Sequence, residues 1–175
     1  MADQIQLEIV TPNGRALAET VEEVTAPGVN GEFGVMPGHL PLLTAIRTGL
    51  VTYRQGGDTK TCAVGPGFAE AGENKLLILT DDYMVKSSVD PVHVRKEFAE
   101  VQAKIEKLLA NAEDQSAEAN DQKATLIQRE NWLATQLDLY GDAPEARMRP
   151  VEYLEEVPDD SAAPATSDDA SPSDA

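Results

Sequence analysis

Gln4-Ile5-Gln6-Leu7-Glu8-Ile9 alternates polar and apolar residues with a period of two, which puts Ile5, Leu7 and Ile9 on one face of a half-buried strand. Asn13-Gly14 follows, a dipeptide that accepts the positive φ angles of a tight type I′ hairpin. Similar breaks recur at Gln55-Gly56-Gly57-Asp58 and Gly72-Glu73-Asn74. Around them lie Gly49-Leu50-Val51-Thr52-Tyr53-Arg54, Thr59-Lys60-Thr61-Cys62-Ala63-Val64, Phe68-Ala69-Glu70-Ala71 and Lys75-Leu76-Leu77-Ile78-Leu79-Thr80, each short enough to be a strand. Strands and turns at this spacing predict an antiparallel β-sandwich or barrel-like domain over residues 1–87. Leu76 to Leu79 is apolar on both faces and is expected to cross the middle of the core.

The period changes near Ser88. Asp90-Pro91 is a helix start, because the carboxylate caps free amides and proline at the first helical position loses no hydrogen bond. Val94, Phe98, Val101, Ile105, Leu108 and Ala112 then recur at alternating spacings of four and three, the stripe of an amphipathic helix. A break over 111–119 leads to a second helix with Leu126, Leu133, Leu137 and Tyr140 on one face, ended by Gly141 and Pro144. Two helices so joined predict an antiparallel hairpin over 88–140. Trp132 and Leu139 fall on the opposite side of the second helix, where they either cover the sandwich or form a second contact stripe for a partner. From 141 to 175 the composition turns to Pro, Ala, Ser, Asp and Glu, read as an acidic, disordered tail that offers too little apolar area to offset its ordering entropy. Arg147-Met148-Arg149 and Val151-Glu152-Tyr153-Leu154 form a short sticky island in it, with no function to assign.

Charge and composition exclude several functions. With 31 Asp and Glu against 14 Lys and Arg, a net charge of −17, the chain is no partner for a phosphate backbone, which requires clustered cations. The start Met1-Ala2-Asp3-Gln4 has neither the basic nor the apolar region of a signal peptide, and no apolar run reaches bilayer length; a soluble, cytoplasmic chain is expected. Cys62 is the single cysteine, read as a buried structural thiol on a strand. His39 in Pro-Gly-His-Leu-Pro superficially resembles a cupin metal loop, but position 41 is proline and one histidine holds no metal. His93 is a solvated residue in a first helical turn, and Asp81-Asp82 reads as a turn at a strand end. There is no G-x-S-x-G elbow, no P-loop and no G-x-G-x-x-G, so neither catalysis nor a metal site is expected within the chain.

The stretch Gly28-Val29-Asn30-Gly31-Glu32-Phe33-Gly34-Val35-Met36-Pro37-Gly38-His39-Leu40-Pro41-Leu42-Leu43-Thr44-Ala45-Ile46 remains. It reads as a loop ahead of an apolar run, stiffened by Pro37-Gly38 and Leu40-Pro41 and suited to docking. It resembles, almost residue for residue, the hallmark G-x-x-G-x-x-G-x-x-P-G-H-x-P-L-L-T-A-I of the epsilon subunit of the bacterial F-type ATP synthase. The strand-rich unit and the helical hairpin match that family's layout over roughly residues 1–140. The resemblance implies a non-catalytic central-stalk subunit that couples rotation of a proton-driven c-ring to the F1 head. It also implies a peripheral place on the cytoplasmic face of the bacterial inner membrane, reached only through the complex. Glu32, Phe33, Gly34, Val35, Met36, Pro37, Gly38, His39, Pro41 and Leu42 would form the foot that meets gamma and the c-ring. The helices would contact the alpha/beta head and restrain ATP hydrolysis.

Two features depart from the family pattern. Members that bind ATP carry Ile/Leu-Asp-x-x-Arg-Ala at the start of the first helix, and here Val89-Asp90-Pro91-Val92-His93-Val94 puts histidine in the arginine's place. Arg95 is displaced by two positions, roughly 200° around a helix, and histidine does not replace an arginine fork. Asp90 and Arg95 are the nucleotide-site candidates left, and no ATP or other cofactor is expected to bind. The cations expected on an inhibitory helix, Lys123 and Arg129, are diluted by Glu118, Asp121, Glu130 and Asp138. A free-standing β-sandwich adaptor with a helical interaction hairpin accounts for every local pattern but leaves the match of the loop unexplained.

Overall fold

The computed structural model describes residues 4–110 and 117–145. Ten strands precede two helices: β1 (Ile5–Thr11), β2 (Gly14–Val21), β3 (Glu23–Gly28), β4 (Gly31–Val35), β5 (Leu42–Ile46), β6 (Gly49–Gln55), β7 (Asp58–Val64), β8 (Gly67–Gly72), β9 (Lys75–Thr80), β10 (Tyr83–Val85), α1 (Pro91–Ala110) and α2 (Ala117–Tyr140). The strands run in the order β10-β7-β6-β3-β5-β8-β9-β1-β2, with β4 on β3. Every pair is antiparallel except β1 with β9, a parallel pairing that the hairpin signals did not announce. The sheet folds back on itself. Gln55 Nε2 donates to Glu19 Oε2 at 2.8 Å, and the Glu22 N–H donates to the Arg54 carbonyl at 2.8 Å, tying the β2–β3 corner to β6.

Alternation sets the core. Ile5, Leu7, Ile9, Leu76 and Ile78 are at most 1% exposed and pack with Val21, Val24, Val35, Val51 and Val64. The turns sort by glycine. Gly56 (φ 61°) and Gly57 (φ 85°), and Glu73 (φ 47°) and Asn74 (φ 61°), make the two type I′ turns. At the first hairpin Thr11 pairs with Gly14, so Pro12-Asn13 is the turn and Gly14 (φ 114°) takes the left-handed position after it. That is a type I turn with a glycine bulge in place of the expected type I′. Leu76 to Leu79 is also corrected: Leu76 and Ile78 enter the core, while Leu79 on the other face is 47% exposed.

The segment read as one long loop contains two strands. Gly31–Val35 pairs with Gly28–Val24, and Leu42–Ile46 pairs with Ala71–Gly67. Val29-Asn30 is the turn between β3 and β4, and 36–41 joins β4 to β5 without strand structure.

The helices begin and end on local chemistry. The amides of Val92 and His93 donate to Asp90 Oδ1 at 3.1 and 3.2 Å, and the stripe of Val94, Val101 and Ile105 is buried as expected. At the other end the Asp142 amide reaches the Leu137 carbonyl at 2.9 Å and the Gly141 amide that of Asp138 at 2.9 Å, a Schellman cap with Gly141 (φ 103°) left-handed. Both faces of α2 are covered. Trp132 (8% exposed), Leu133, Leu137 and Leu139 (5%) share one cluster that joins Val94, Val101 and Ile105 of α1 to Leu50, Ala63 and Met84 of β6, β7 and β10; Trp132 also lines a hollow with Thr48 and Pro66, and Leu139 one with Leu50. Trp132 and Leu139 are thus no free contact stripe; in this structure they cover the sandwich. Tyr140, expected on the buried face, is 41% exposed. Sandwich and hairpin belong to one unit ending at Pro144. Ala112, most of the 111–119 connection, the sticky island and all of the acidic tail after Glu145 lie outside the described residues.

Burial pushes the Cys62 thiol up to about 12 from 9.0, and the Tyr83 phenol up to about 12 from 10.0, with Cys62 as a further charge against it. Both are neutral when folded, so the unfolded chain ionises first. Their contribution is complete below about pH 9 and is lost as pH rises toward about 12. Urea midpoints should therefore fall across that window, and Cys62→Ala should flatten part of the slope. A wild-type midpoint constant across it would contradict the burial.

Candidate functional site

Pro37 at the second position and Gly38 (φ 78°) at the third make Met36-Pro37-Gly38-His39 a type II turn, closed by the His39 amide on the Met36 carbonyl at 3.1 Å. The Gly38 amide donates to Asn74 Oδ1 at 2.9 Å, and Asn74 is itself fixed in the β8–β9 turn. His39 Nδ1 lies 2.7 Å from the Leu40 carbonyl oxygen. The loop is thus pinned to the β8–β9 turn through its glycine. Its apolar tips are left in water: Met36 is 60% and Leu40 79% exposed.

The residues expected to share this surface divide. Glu32, Gly34, Met36, Gly38 and Pro41 are exposed, and Pro37 and His39 are half-buried. Val35 is 1% exposed and belongs to the core, on which Phe33 and Leu42 also pack. These three face inward because β4 and β5 alternate as strands, so they anchor the foot and do not present it.

A second feature was not read from the sequence. The pairings β5–β8–β9–β1 set Leu43 beside Glu70, Leu77 and Glu8, and the next outward row is Ala45, Phe68, Leu79 and Val10. Leu43 is 73%, Phe68 58% and Leu79 47% exposed. This apolar strip runs on from Leu40 along the outer face of the sheet. At its far end Pro12, Pro66, Phe68 and Leu79 line an open groove of about 610 Å³. Lys75 and Arg15 bind Glu8 at 3.0 and 3.5 Å, and the Lys75 hydrogen bond is the main cause holding its carboxyl below the usual range. The available signal was the doubly apolar run Leu76 to Leu79, whose second face also needed cover.

The two nucleotide candidates are engaged with separate partners in this structure. The Asp90 carboxylate is occupied capping α1, and Arg95 Nε pairs with Asp142 Oδ2 at 2.6 Å. His93 Nε2 stands 3.8 Å from Glu97, which Arg129 holds at 2.7 Å. Among the described residues no group of His, Cys, Asp and Glu is placed to hold a metal ion.

A nearly closed sandwich with a pinned, apolar-tipped loop and a helical hairpin on its flank defines a docking module. Residues 4–86 match the family model described as ATP synthase, Delta/Epsilon chain, beta-sandwich domain. The ATP synthase epsilon chain of Anaeromyxobacter dehalogenans is 39% identical over 66% of this chain and 87% of its own length. ATP synthase epsilon chain 2 of Syntrophotalea carbinolica is 37% identical over 62% of this chain and 78% of its own. The fold is shared with a chain of the Euglena gracilis mitochondrial ATP synthase (OSCP/F1/c-ring in rotational state 1), at a TM-score of 0.57 and 22% identity over 80% of this chain and 79% of that one. The chain belongs to the ATP synthase epsilon chain family, as a non-catalytic subunit of that enzyme.

Proposed function

We propose that the chain works in the central stalk of a proton-translocating F-type ATP synthase, joining the gamma subunit to the c-ring so that rotation of the ring reaches the catalytic head. The observation that carries this reading is the 36–41 loop: apolar and exposed at Met36 and Leu40, yet held by a type II turn and the Asn74 side chain. A contact that passes torque must not yield, and a loop whose angles proline and glycine already restrict loses little entropy on docking. Glu32, Gly34, Met36, Gly38, His39 and Pro41 form the contact, with Val35, Phe33 and Leu42 rooting it in the core. No helix among the described residues is long and apolar enough to cross a membrane. In this reading the subunit is peripheral, on the cytoplasmic face of the bacterial inner membrane, and works without nucleic acid, nucleotide or cofactor. With Trp132 and Leu139 committed to the sandwich, contact of the helices with the alpha/beta head, and any restraint on hydrolysis, requires their release.

The test uses membranes stripped of this chain and reconstituted with it. Full-length protein should restore ATP-driven proton pumping. Met36→Ala with His39→Ala should need roughly tenfold more protein for the same recovery, at an unchanged melting temperature, by the ordinary cost of losing an interface anchor. Equal recovery by the double variant would remove the loop from the contact. Deletion of everything after Ser88 should retain pumping and raise the hydrolysis rate; an unchanged rate would mean that the helices do not inhibit.

A further inference from the structure

Among the described residues Glu73 (φ 47°) and Asn74 (φ 61°) are the non-glycine positions with positive φ, and they are consecutive. Both central positions of a type I′ turn require such angles, and the second is the usual place for glycine. A side chain there carries a conformational cost, and backbone held at such a cost points to a use for the residue that holds it. Asn74 makes two bonds across the fold. Its carbonyl accepts from the Gln6 amide of β1 at 2.8 Å, and Lys75 beside it pairs with Glu8 at 3.0 Å, which ties the turn to β1. Its side-chain Oδ1 accepts from the Gly38 amide at 2.9 Å. Gly72, at the other end of the same turn, faces the loop again: a Cβ built there lies 3.7 Å from Pro41 Cα. One strained turn, anchored on β1, thus supports the 36–41 loop near both its ends.

We infer that Asn74 is a positioning residue for the docking loop: it stands where the backbone favours glycine because its side chain sets how Met36 and Leu40 leave the sandwich. The inference rests on the central-stalk reading above and adds to it a residue, outside the loop, that presets the contact. Few residue types could serve. Glycine suits the backbone but carries no acceptor. Glutamine carries the acceptor on a longer stem and meets the full steric penalty of the left-handed angle. Asparagine and aspartate satisfy both demands. The bond is exposed to water, so its net worth to folding is small, and its effect lies in narrowing the states of the loop before docking. In Asn74→Gly, stability and docking therefore part: the turn relaxes while the loop is freed. A turn residue with a structural role alone would not give that split.

The experiment compares full-length wild type with Asn74→Gly, Asn74→Asp and Glu73→Gly by thermal unfolding, by hydrogen exchange of the Gly38 amide in NMR, and by the protein needed to restore ATP-driven proton pumping to stripped membranes. Asn74→Gly should melt at or above the wild-type temperature. Its Gly38 amide should exchange at least about tenfold faster, and recovery should need roughly three- to tenfold more protein, the factor that corresponds to one net hydrogen bond. Asn74→Asp keeps the acceptor and should stay within about twofold of wild type in exchange and recovery. Glu73→Gly relaxes the same turn without a bond to the loop, so it should melt at or above wild type with the other two readouts unchanged. Faster Gly38 exchange with wild-type recovery, or recovery impaired equally by Glu73→Gly, would overturn the inference while leaving the stalk reading intact. Unchanged exchange in Asn74→Gly, or a lowered melting temperature, would do the same by showing that the side chain does not hold the loop or that it serves the fold instead. Wild type that restores no pumping would overturn both.

Discussion

Gly67→Ala is expected to cost on the order of 3–5 kcal/mol, at the upper end for a single added methyl group. A Cβ built at Gly67 falls on the carbonyl oxygen of Leu79, with the Leu79 carbonyl carbon at 2.9 Å and Thr80 Cα at 3.0 Å. These are backbone atoms of the neighbouring strand, so no side-chain rotation relieves the clash. Strands β8 and β9 must part where Gly67 pairs with Thr80 on one side and Ile46 on the other. The Thr80 hydroxyl, 3.2 Å from the carbonyls of both Pro66 and Asp82, loses its place in the same movement. Phe68 and Leu79 would shift with their strands. Gly34→Ala is the matched control. Its Cβ meets nothing within 4 Å and its midpoint should stay within about 0.5 kcal/mol of wild type. Urea unfolding of the two side by side is the measurement, and equal midpoints would refute the close approach of β8 and β9.

The contrast between these glycines shows where sequence reading reaches its limit. Strands such as Ile5–Thr11 and Asp58–Val64 were legible because alternation, turn dipeptides and β-branched residues all agree there. Gly31–Val35 was not, since two glycines in five residues argue against a strand and only pairing with Gly28–Val24 makes it one. Gly14–Val21 opens on glycine and holds two alanines and a glutamate, residues without strand preference, so it too was not legible. Parallel pairing of β1 with β9 joins segments about 70 residues apart, and nothing local encodes it. The candidate loop was legible because its rigidity is local: proline and glycine at successive turn positions fix the angles whatever surrounds them. The bare outer face was not, because Leu43, Phe68 and Leu79 become neighbours only through two strand registers. The facing of Trp132 was left open by the helical wheel and decided by which surface lay beside it. A wheel finds two apolar sides and cannot name the partner of either.

Leu139→Asp should release α2 from the sandwich, and the chain carries its own reporter of that event. Trp132 is the single tryptophan and is 8% exposed in the cluster that joins the helices to Leu50, Ala63 and Met84. Loss of the leucine side chain costs about 2–5 kcal/mol, and a carboxylate left without a partner in its place adds further cost. Asp138, which lines the same hollow, makes the position worse for a second negative charge, while Lys60 and Lys86 around Leu50 and Leu139 offer only partial compensation. Tryptophan emission should move to the red and acrylamide quenching should approach that of the unfolded chain. The sandwich core, a separate cluster built on Ile5, Leu76 and Ile78, should keep its cooperative transition. Leu139→Met, which conserves volume, should leave both signals near wild type. Emission and quenching unchanged by the aspartate would show that Leu139 does not hold the helix down. A single transition lowered as a whole would show that hairpin and sandwich melt as one body. The two outcomes separate anchor from architecture: hydrolysis measured with F1 and the released variant then reads what the freed helices do to the catalytic head, with the proposed docking loop left untouched.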